Sequence, residues 1–202
     1  MEQKKTDRRI QRTQQMLQEA LIALILEKGY DAITVQDILE RANLGRSTFY
    51  AHYRDKQDLL VSGFGRVFDE FQAGYAQASA APVDPEQGAR ELSLYIFQHT
   101  RSHRQLFRAL IGRQGGELIL EYARKFLSDT VRSFIEARLI ETGNQALVEP
   151  LVHYLVSSYL ALLTWWLDQD SPFTADQMNT LYFGLVKPGV KELVGSAGTI
   201  VL

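Results

Sequence analysis

The sequence contains no cysteine among its 202 residues. Disulfide bonds, thiolate metal sites and cysteine nucleophiles are therefore excluded. Proline is also scarce, with five residues, and no segment alternates polar and apolar side chains as half-buried strands do. The chain is nevertheless long enough to bury a sizeable core. These absences predict an all-α protein, and the helical patterns divide it into about nine helices.

The sequence has almost no excess of charge, since its formal net charge is −2. That balance argues against indiscriminate binding to nucleic acids. Residues 1–58 nevertheless carry ten Lys and Arg against nine Asp and Glu. Half of these basic residues lie within the first twelve positions of the chain. Such a basic N-terminus can neutralise phosphates or enter a minor groove, although a frayed soluble terminus has the same composition. No apolar run follows it at signal-peptide distance, so we expect a cytoplasmic protein. The five basic residues of this terminus are Lys4, Lys5, Arg8, Arg9 and Arg12.

Only one long apolar run is present, residues 151–167, which read LVHYLVSSYLALLTWWL. Its length lies at the lower limit of a membrane span, but its histidine, two serines and threonine argue against membrane insertion. We predict a helix that is buried on two sides, against its own domain and against a second copy of the chain. A helix capped by Thr174 would complete a four-helix dimer interface. The candidate interface residues are Leu155, Ser157, Ala161, Thr164, Met178, Leu181, Tyr182 and Leu185.

The most informative stretch lies between Thr34 and Lys56 and reads TVQDILERANLGRSTFYAHYRDK. Thr34 and Asp37 have the spacing of a capping box, which predicts the start of a helix. Val35, Ile38 and Leu39 then give this helix one apolar face. A second short helix, residues 46–52, is predicted to follow after a tight turn at residues 42–45.

The second short helix would present hydrogen-bond donors to solvent. Phe49 and Tyr53 are four residues apart and are predicted to face inward, which leaves the intervening polar side chains outside. A short helix that offers donors and aromatic edges suits the floor of the DNA major groove. The stretch is therefore predicted to be a helix-turn-helix with residues 46–52 as its recognition helix.

Residues 27–60 resemble the DNA-binding domain of the TetR family of bacterial transcription regulators. Two positions depart from the family pattern: Gly45 replaces the usual Ser or Thr cap, and Arg54 stands where proline is common. The resemblance implies a three-helix DNA-binding domain at residues 1–54 and a helical ligand-sensing and dimerisation domain at residues 55–202. The matching features are Gly29-Tyr30, Thr34, Ala42-x-Leu44, Thr48-Phe49-Tyr50-x-His52-Tyr53 and Lys56.

The predicted DNA contacts combine the exposed donors of the recognition helix with helix starts able to meet phosphates. Two recognition helices, one from each subunit, would bind the halves of a palindromic operator. The residues predicted to contact DNA are Thr34, Gln36, Arg46, Ser47, Thr48, Tyr50, His52 and Lys56.

Aromatic side chains in the second half could line a pocket for a small apolar or aromatic ligand, although each also suits a packed core. His99 and His103 have the spacing of a metal chelate, but no third ligand is evident, so neither a metal nor another cofactor is predicted. The candidate ligand-binding residues are Phe68, Phe97, Phe107, Tyr122, Phe126, Tyr159 and Trp165.

The histidines are not accompanied by a nucleophile or carboxylate pattern, so no enzymatic activity is predicted. The sequence predicts a homodimeric DNA-binding regulator, a repressor that a small ligand releases. An activator, or an interaction module whose C-terminal half binds a protein partner, is the alternative, because the sequence does not encode the sign of regulation.

Overall fold

We analysed a computed structural model of the chain, which describes residues 2–78, 85–111, 114–141, 143–169 and 171–195. Within helices, the side chains of residues 2–7, 68–78, 85, 137–138, 141 and 194–195 are outside this description. The two prolines within residues 80–85 predict a linker, of which residues 80–84 lie outside this description, as does the tail after residue 195.

In the described ranges the chain consists of helices joined by turns and contains no strand, so the prediction of an all-α fold is confirmed. The described α-helices are α1 (Glu2–Lys28), α2 (Val35–Ala42), α3 (Arg46–Tyr50), α4 (Lys56–Ala78), α5 (Pro85–Ser102), α6 (Arg104–Leu110), α7 (Gln114–Glu141), α8 (Val148–Asp168) and α9 (Ala175–Gly195).

The ends of three helices differ from the sequence prediction. The apolar pattern of the first helix predicts a start near Arg8, but α1 begins at Glu2. Helix α3 ends at Tyr50 rather than at residue 52, because the N–H groups of His52 and Tyr53 both donate to the carbonyl of Phe49 and close a turn. Pro188 predicts that the last helix ends near residue 186, but α9 continues through it to Gly195. The carbonyl that loses its partner belongs to the exposed Gly184, where water can replace the missing hydrogen bond.

The chain divides into two compact units. The first contains residues Met1–Gln72 and Gln105–Ile119, and the second contains Ala73–Arg104 and Leu120–Leu202. The predicted boundary after residue 54 lies before this division, because the first unit also contains most of α4 and, later in the chain, most of α6 and the start of α7. The core of that unit is formed by buried side chains of α1 to α4, together with Leu110 and Ile119.

The α6–α7 corner packs closely within the first unit because it has two glycines. A β-carbon on Gly115 would lie 2.9 Å from the Tyr30 ring and 2.7 Å from Leu110 Cδ2. A β-carbon on Gly116 would clash with the carbonyl group of Leu110. Side chains are therefore excluded at both positions unless the corner moves.

We expect Gly116→Ala to lower the free energy of unfolding by about 1–3 kcal/mol, because backbone atoms of Leu110 cannot yield as a flexible side chain can. Urea denaturation would measure the change. Gly189→Ala is the matched control, since nothing lies within 4 Å of its new methyl group in α9. The control should be neutral or stabilising by up to about 1 kcal/mol. Equal destabilisation by both variants would contradict the close packing of the corner.

The second unit is centred on aromatic side chains of α5, α8 and α9. Phe97 contacts both Tyr159 and Trp166, with ring centroids 5.1 Å and 5.5 Å apart, and Tyr159 continues the cluster to Tyr182 at 5.1 Å. The Tyr159 hydroxyl donates to the carbonyl of Ser93 over 3.0 Å, so its one polar atom is satisfied inside the core. Burial raises the pKa of this hydroxyl far above its ordinary value, which keeps Tyr159 neutral.

The side chain of Arg104, from the start of α6, caps the C-terminus of α8. Its guanidinium donates to the carbonyl of Leu167 over 3.2 Å and to the carbonyl of Gln169. These carbonyls have no partner within the helix, and a cation at a helix C-terminus also complements the helix dipole.

Residues 145–168 form the one described stretch that is long and apolar enough to cross a membrane by length and composition. Nine side chains of α8 are buried in the second unit, including Trp166 and Tyr159. The core helices of globular domains have the same composition, and the apolar run is used here for packing.

Candidate nucleic-acid interface

Helix α2 begins with the capping box that the sequence predicted. The hydroxyl of Thr34 accepts a hydrogen bond from the N–H of Asp37 over 3.2 Å, and the Asp37 carboxylate accepts one from the N–H of Thr34 over 2.7 Å. The Thr34 hydroxyl donates to the same carboxylate over 2.6 Å, and Lys28 forms an ion pair with it at 2.9 Å. The bonds from Thr34 and then the Lys28 ammonium hold the pKa of Asp37 far below its ordinary value. Helix α2 is therefore fixed at its first turn.

The turn between α2 and α3 has the geometry that its sequence indicated. Asn43 is the only described residue other than glycine with a positive φ, at 52°. Its left-handed backbone reverses the chain, and the N–H of Leu44 donates to the carbonyl of Leu39 over 3.0 Å. Leu44 packs against the core of the first unit, and Gly45 caps α3 without a side-chain hydrogen bond. The two helices of the motif are thus joined by a short, well-bonded turn.

Helix α3 separates its two aromatic residues between core and solvent. Phe49 is completely buried, whereas 57% of the Tyr50 side chain is exposed. The two rings meet edge to face, with centroids 5.4 Å apart, so the buried ring supports the exposed one. An exposed tyrosine held in this way presents both an aromatic face and a hydroxyl to a partner.

Arg46 and Gln36 meet on the exposed surface. The Arg46 Nη2 donates to Gln36 Oε1 over 3.1 Å, and Gln36 Nε2 donates to Glu40 over 2.9 Å. Arginine and glutamine are the side chains that bind guanine and adenine edges most specifically in the major groove. Of the other predicted contacts, Ser47 is exposed, whereas Thr48 and His52 are half-buried.

Two of the predicted phosphate contacts are already engaged within the protein. Both donors of Thr34 are bonded to Asp37, so its hydroxyl hydrogen is available to a phosphate only if the capping box opens. The Lys56 ammonium donates to the carbonyls of Tyr30, Asp31 and Ile33 over 3.2, 3.4 and 2.8 Å. It also lies 4.5 Å from the centre of the Tyr30 ring. Lys56 therefore holds the start of α4 against the turn after α1.

We expect Lys56→Met to lower the free energy of unfolding by about 2 kcal/mol, since it leaves three carbonyls without a cationic donor. Chemical denaturation of the purified protein would measure the loss. Lys191→Met removes an exposed charge from α9 and should leave stability unchanged. If the two variants are equally stable, the ammonium does not hold this turn.

The predicted ligand-binding residues do not lie together. Phe97 and Tyr159 belong to the aromatic core of the second unit, and Trp165 is 47% exposed. Phe107 packs on Phe64 within the first unit, with ring centroids 5.5 Å apart. Tyr122 and Phe126 are half-buried on α7, and the side chain of Phe68 lies outside the described residues.

The predicted dimer residues include both buried and exposed side chains. Met178 is completely buried and Tyr182 is 8% exposed within one protomer, so both side chains pack mainly within their own unit. The Tyr182 hydroxyl donates to the carbonyl of Leu155 over 2.8 Å. Leu181, Leu185 and Ala161 are exposed, whereas Leu155, Ser157 and Thr164 are half-buried. Tyr154 and Trp165, neither of which was among the predicted dimer residues, are exposed on α8.

The sequence prediction also missed that residues 105–119 belong to the unit that contains the helix-turn-helix. The signal that could have revealed it is the adjacent pair Gly115 and Gly116 at the start of a long helix. Neighbouring glycines in such a position weaken the helix and indicate close approach by another element.

Two family models match the chain. The model of bacterial regulatory proteins of the tetR family matches residues 17–62, which contain the capping box, the turn and α3. The model of a transcriptional regulator C-terminal region matches residues 89–188, which contain most of α5, all of α6 to α8 and most of α9.

Individual proteins agree with these models. An uncharacterized HTH-type transcriptional regulator of Bacillus subtilis, YxbF, is 44% identical over 59 residues, or 29% of this chain and 16% of YxbF. The HTH-type transcriptional repressor KstR of Mycolicibacterium smegmatis is 33% identical over 69 residues, or 34% of each chain. The chain thus covers well under two thirds of either relative.

A solved structure extends the similarity to nearly the whole chain. The putative TetR-family transcriptional regulator from Syntrophomonas wolfei superposes with a TM-score of 0.71 at 18% identity, covering 95% of this chain and 99% of that one. This likeness concerns the fold. Together with the matches to the helix-turn-helix and to the C-terminal region, it shows that the chain belongs to the TetR family of bacterial transcription regulators, which are not enzymes.

Proposed function

We propose that the protein is a cytoplasmic homodimeric repressor that binds a palindromic operator through α3 of each subunit. The observation that carries this proposal is the arrangement of Tyr50, Arg46 and Gln36. An exposed tyrosine is supported by a buried phenylalanine, next to an arginine–glutamine pair. These side chains offer donors, an acceptor and an aromatic face, which suit the base edges and the adjoining backbone of the major groove.

The dimer is proposed from the exposed apolar residues of α8 and α9. Tyr154 and Trp165 are 54% and 47% exposed, and Leu181 and Leu185 are 40% and 64% exposed. Residues 154, 161 and 165 share one side of α8 by helical spacing, and residues 181 and 185 share one side of α9. Large apolar side chains exposed together in one unit indicate a partner surface.

Two subunits are also required by the size of the recognition helix. Helix α3 has five residues, too few to specify a genomic site alone. A dimer would place two such helices about one turn of DNA apart, where together they would bind the halves of a palindrome. Any change in the spacing of the two helices would then lower the affinity steeply.

We propose that a small apolar or aromatic effector changes the spacing of the two recognition helices. Tyr122 and Phe126 are half-buried and lie one turn apart on α7, so they are the best-placed aromatic residues of the predicted set. Helices α4 and α7 each contribute residues to both units. An effector that favours one arrangement of these helices would alter DNA affinity by its difference in affinity for the two states.

A gel-shift titration against the DNA immediately upstream of the protein's own gene tests this function. We expect saturable binding that outcompetes random DNA of the same length, with affinity falling as the salt concentration rises. Because a dimer binds both half-sites, an operator with one half-site scrambled should be bound much more weakly. Binding no better than to random DNA, both to this fragment and to fragments selected from the whole genome, would contradict the proposal.

A further inference from the structure

Three polar side chains form a hydrogen-bonded chain across the helix-turn-helix. Gln36 and Glu40 lie one turn apart on α2, and Gln36 Nε2 donates to Glu40 Oε1 over 2.9 Å. Arg46, the first residue of α3, donates from Nη2 to Gln36 Oε1 over 3.1 Å. All three residues are exposed. The amide of Gln36 therefore bridges a carboxylate and a guanidinium on the surface of the first unit.

The two charged groups fix the orientation of the Gln36 amide. If the amide turned over, its NH2 group would face the Arg46 guanidinium and its oxygen would face the Glu40 carboxylate. Donor would then meet donor, and acceptor would meet acceptor. A hydrogen bond to a charged group is about twice as strong as one between neutral groups, so the observed orientation is strongly favoured. Glu40 thereby determines which atom Gln36 presents to Arg46.

The bond to Gln36 leaves Arg46 able to bind a guanine. An arginine offers parallel N–H groups in two directions, one through Nε and Nη2 and the other through Nη1 and Nη2. Each Nη2 hydrogen belongs to one of these pairs, and Gln36 accepts only one of those hydrogens. The other pair stays intact, and its geometry matches the O6 and N7 acceptors of guanine in the major groove. Arg46 can thus be held from one side while it binds a base with the other.

The charge of Glu40 by itself opposes binding to DNA. A carboxylate is repelled by the phosphates of any duplex, whatever its sequence. Its removal should therefore strengthen binding to all duplexes alike if charge is its only contribution. A role in sequence discrimination that acts through Gln36 and Arg46 has the opposite sign, so the two effects can be separated by measurement.

We propose that Glu40 is a positioning residue for operator specificity, which holds Gln36 and through it directs the Arg46 guanidinium at one guanine in each half-site. The proposal rests on the proposed function of α3 and deepens it by naming a base and the residue that fixes its reader. Without Glu40 the Gln36 amide can turn over, and the arginine can bind neighbouring phosphates, which carry no sequence information. Loss of Glu40 therefore relaxes specificity without weakening binding to random DNA.

The test uses an operator duplex that the unaltered protein selects from a random pool. Fluorescence anisotropy measures the affinity for this operator and for duplexes in which one base pair is replaced in both half-sites. The base pair that Arg46 contacts is the one whose replacement no longer matters to the Arg46→Ala variant. Each lost contact weakens binding about tenfold or more, so replacing that pair in both half-sites should weaken binding of the unaltered protein about 100-fold.

We expect Glu40→Ala to reduce this penalty to about tenfold or less, while binding to random duplexes stays the same or becomes tighter. Glu40→Gln removes the charge but keeps an oxygen that can accept from Gln36, so it should retain most of the discrimination. In a protein that already carries Arg46→Ala, the change Glu40→Ala should cause no further loss of discrimination, because the residue through which it acts is gone.

Glu19→Ala is the matched control. Gln15 Nε2 donates to Glu19 Oε1 over 2.8 Å on α1, so this variant breaks the same kind of bond in the same unit. Helix α1 carries none of the predicted base contacts, and the control should therefore keep the full penalty. Circular dichroism establishes that each variant is folded.

An unchanged penalty in Glu40→Ala would overturn the inference and leave the function of α3 intact. Equal losses of discrimination in Glu40→Ala and Glu40→Gln would trace the effect to charge and would overturn it as well. A further loss in the Arg46→Ala background would assign Glu40 a direct contact with DNA instead. If an operator is selected but no base pair depends on Arg46, the inference also fails. Failure of the unaltered protein to select any duplex would instead contradict the proposed function.

Discussion

Replacing Tyr50 by alanine is expected to lower the affinity for operator DNA by about 100-fold while leaving the protein folded. The tyrosine is 57% exposed and rests on the buried ring of Phe49, so its removal exposes little of the core. Each specific contact in the major groove contributes about 1–3 kcal/mol, and a dimer would lose two such contacts. The free energy of unfolding should fall by only about 1 kcal/mol, which is the contribution of one aromatic pair.

Anisotropy titrations and thermal melting would measure these two quantities separately. Tyr50→Phe is the matched variant, because it keeps the ring and removes only the hydroxyl. If the hydroxyl binds DNA, the phenylalanine variant should lose a large part of the affinity; if the ring packs on the sugar or a base, it should retain most of it. Unchanged affinity of Tyr50→Ala would remove α3 from the proposed interface.

Replacing Leu185 by glutamate is expected to convert the proposed dimer to a monomer. Leu185 is 64% exposed in one protomer, so the substitution should not disturb the fold of that protomer. In an apolar interface, however, a carboxylate without a partner would be buried at a cost of several kcal/mol. Loss of the dimer should also lower operator affinity by at least about 100-fold, because each recognition helix would then bind alone.

Sedimentation equilibrium at micromolar protein concentration would measure the change in mass. Ile140→Glu provides the control: Ile140 is 51% exposed on α7 and carries no expected contact with a second copy. The control should remain dimeric and bind DNA normally. A Leu185→Glu protein that stays dimeric would place the interface elsewhere.

The helix-turn-helix was predictable because its determinants are local. The capping box spans four residues, and the left-handed turn needs Asn43. The burial of Phe49 follows from its position on α3. Short-range hydrogen bonds and periodicity determine such elements, and both are visible in sequence. The same reasoning located the apolar faces of α2 and the capping signal of α9 at Thr174, whose hydroxyl accepts from the N–H of Gln177.

The structure differs from a simple reading of the sequence where partners are distant in the chain or where a rule has an exception. Lys56 was predicted to bind phosphate, yet its ammonium is bonded to carbonyls more than twenty residues away. Helix α9 was expected to end before Pro188, but an exposed glycine carbonyl one turn earlier tolerates the missing donor. Burial of Met178 and Tyr182 depends on how α9 packs in its unit, which spacing alone does not reveal.

The sequence by itself determined that the protein is all-α, that residues 34–53 form a helix-turn-helix and that Phe49 faces the core. Each of these follows from interactions between residues only a few positions apart. Only the tertiary structure decided that residues 105–119 pack into the first unit, together with the helix-turn-helix, and that Arg104 caps α8. It also decided which aromatic residues are core and which are exposed. These features depend on contacts between segments far apart in the chain, and the free energy of such contacts is set by close packing that no local pattern encodes.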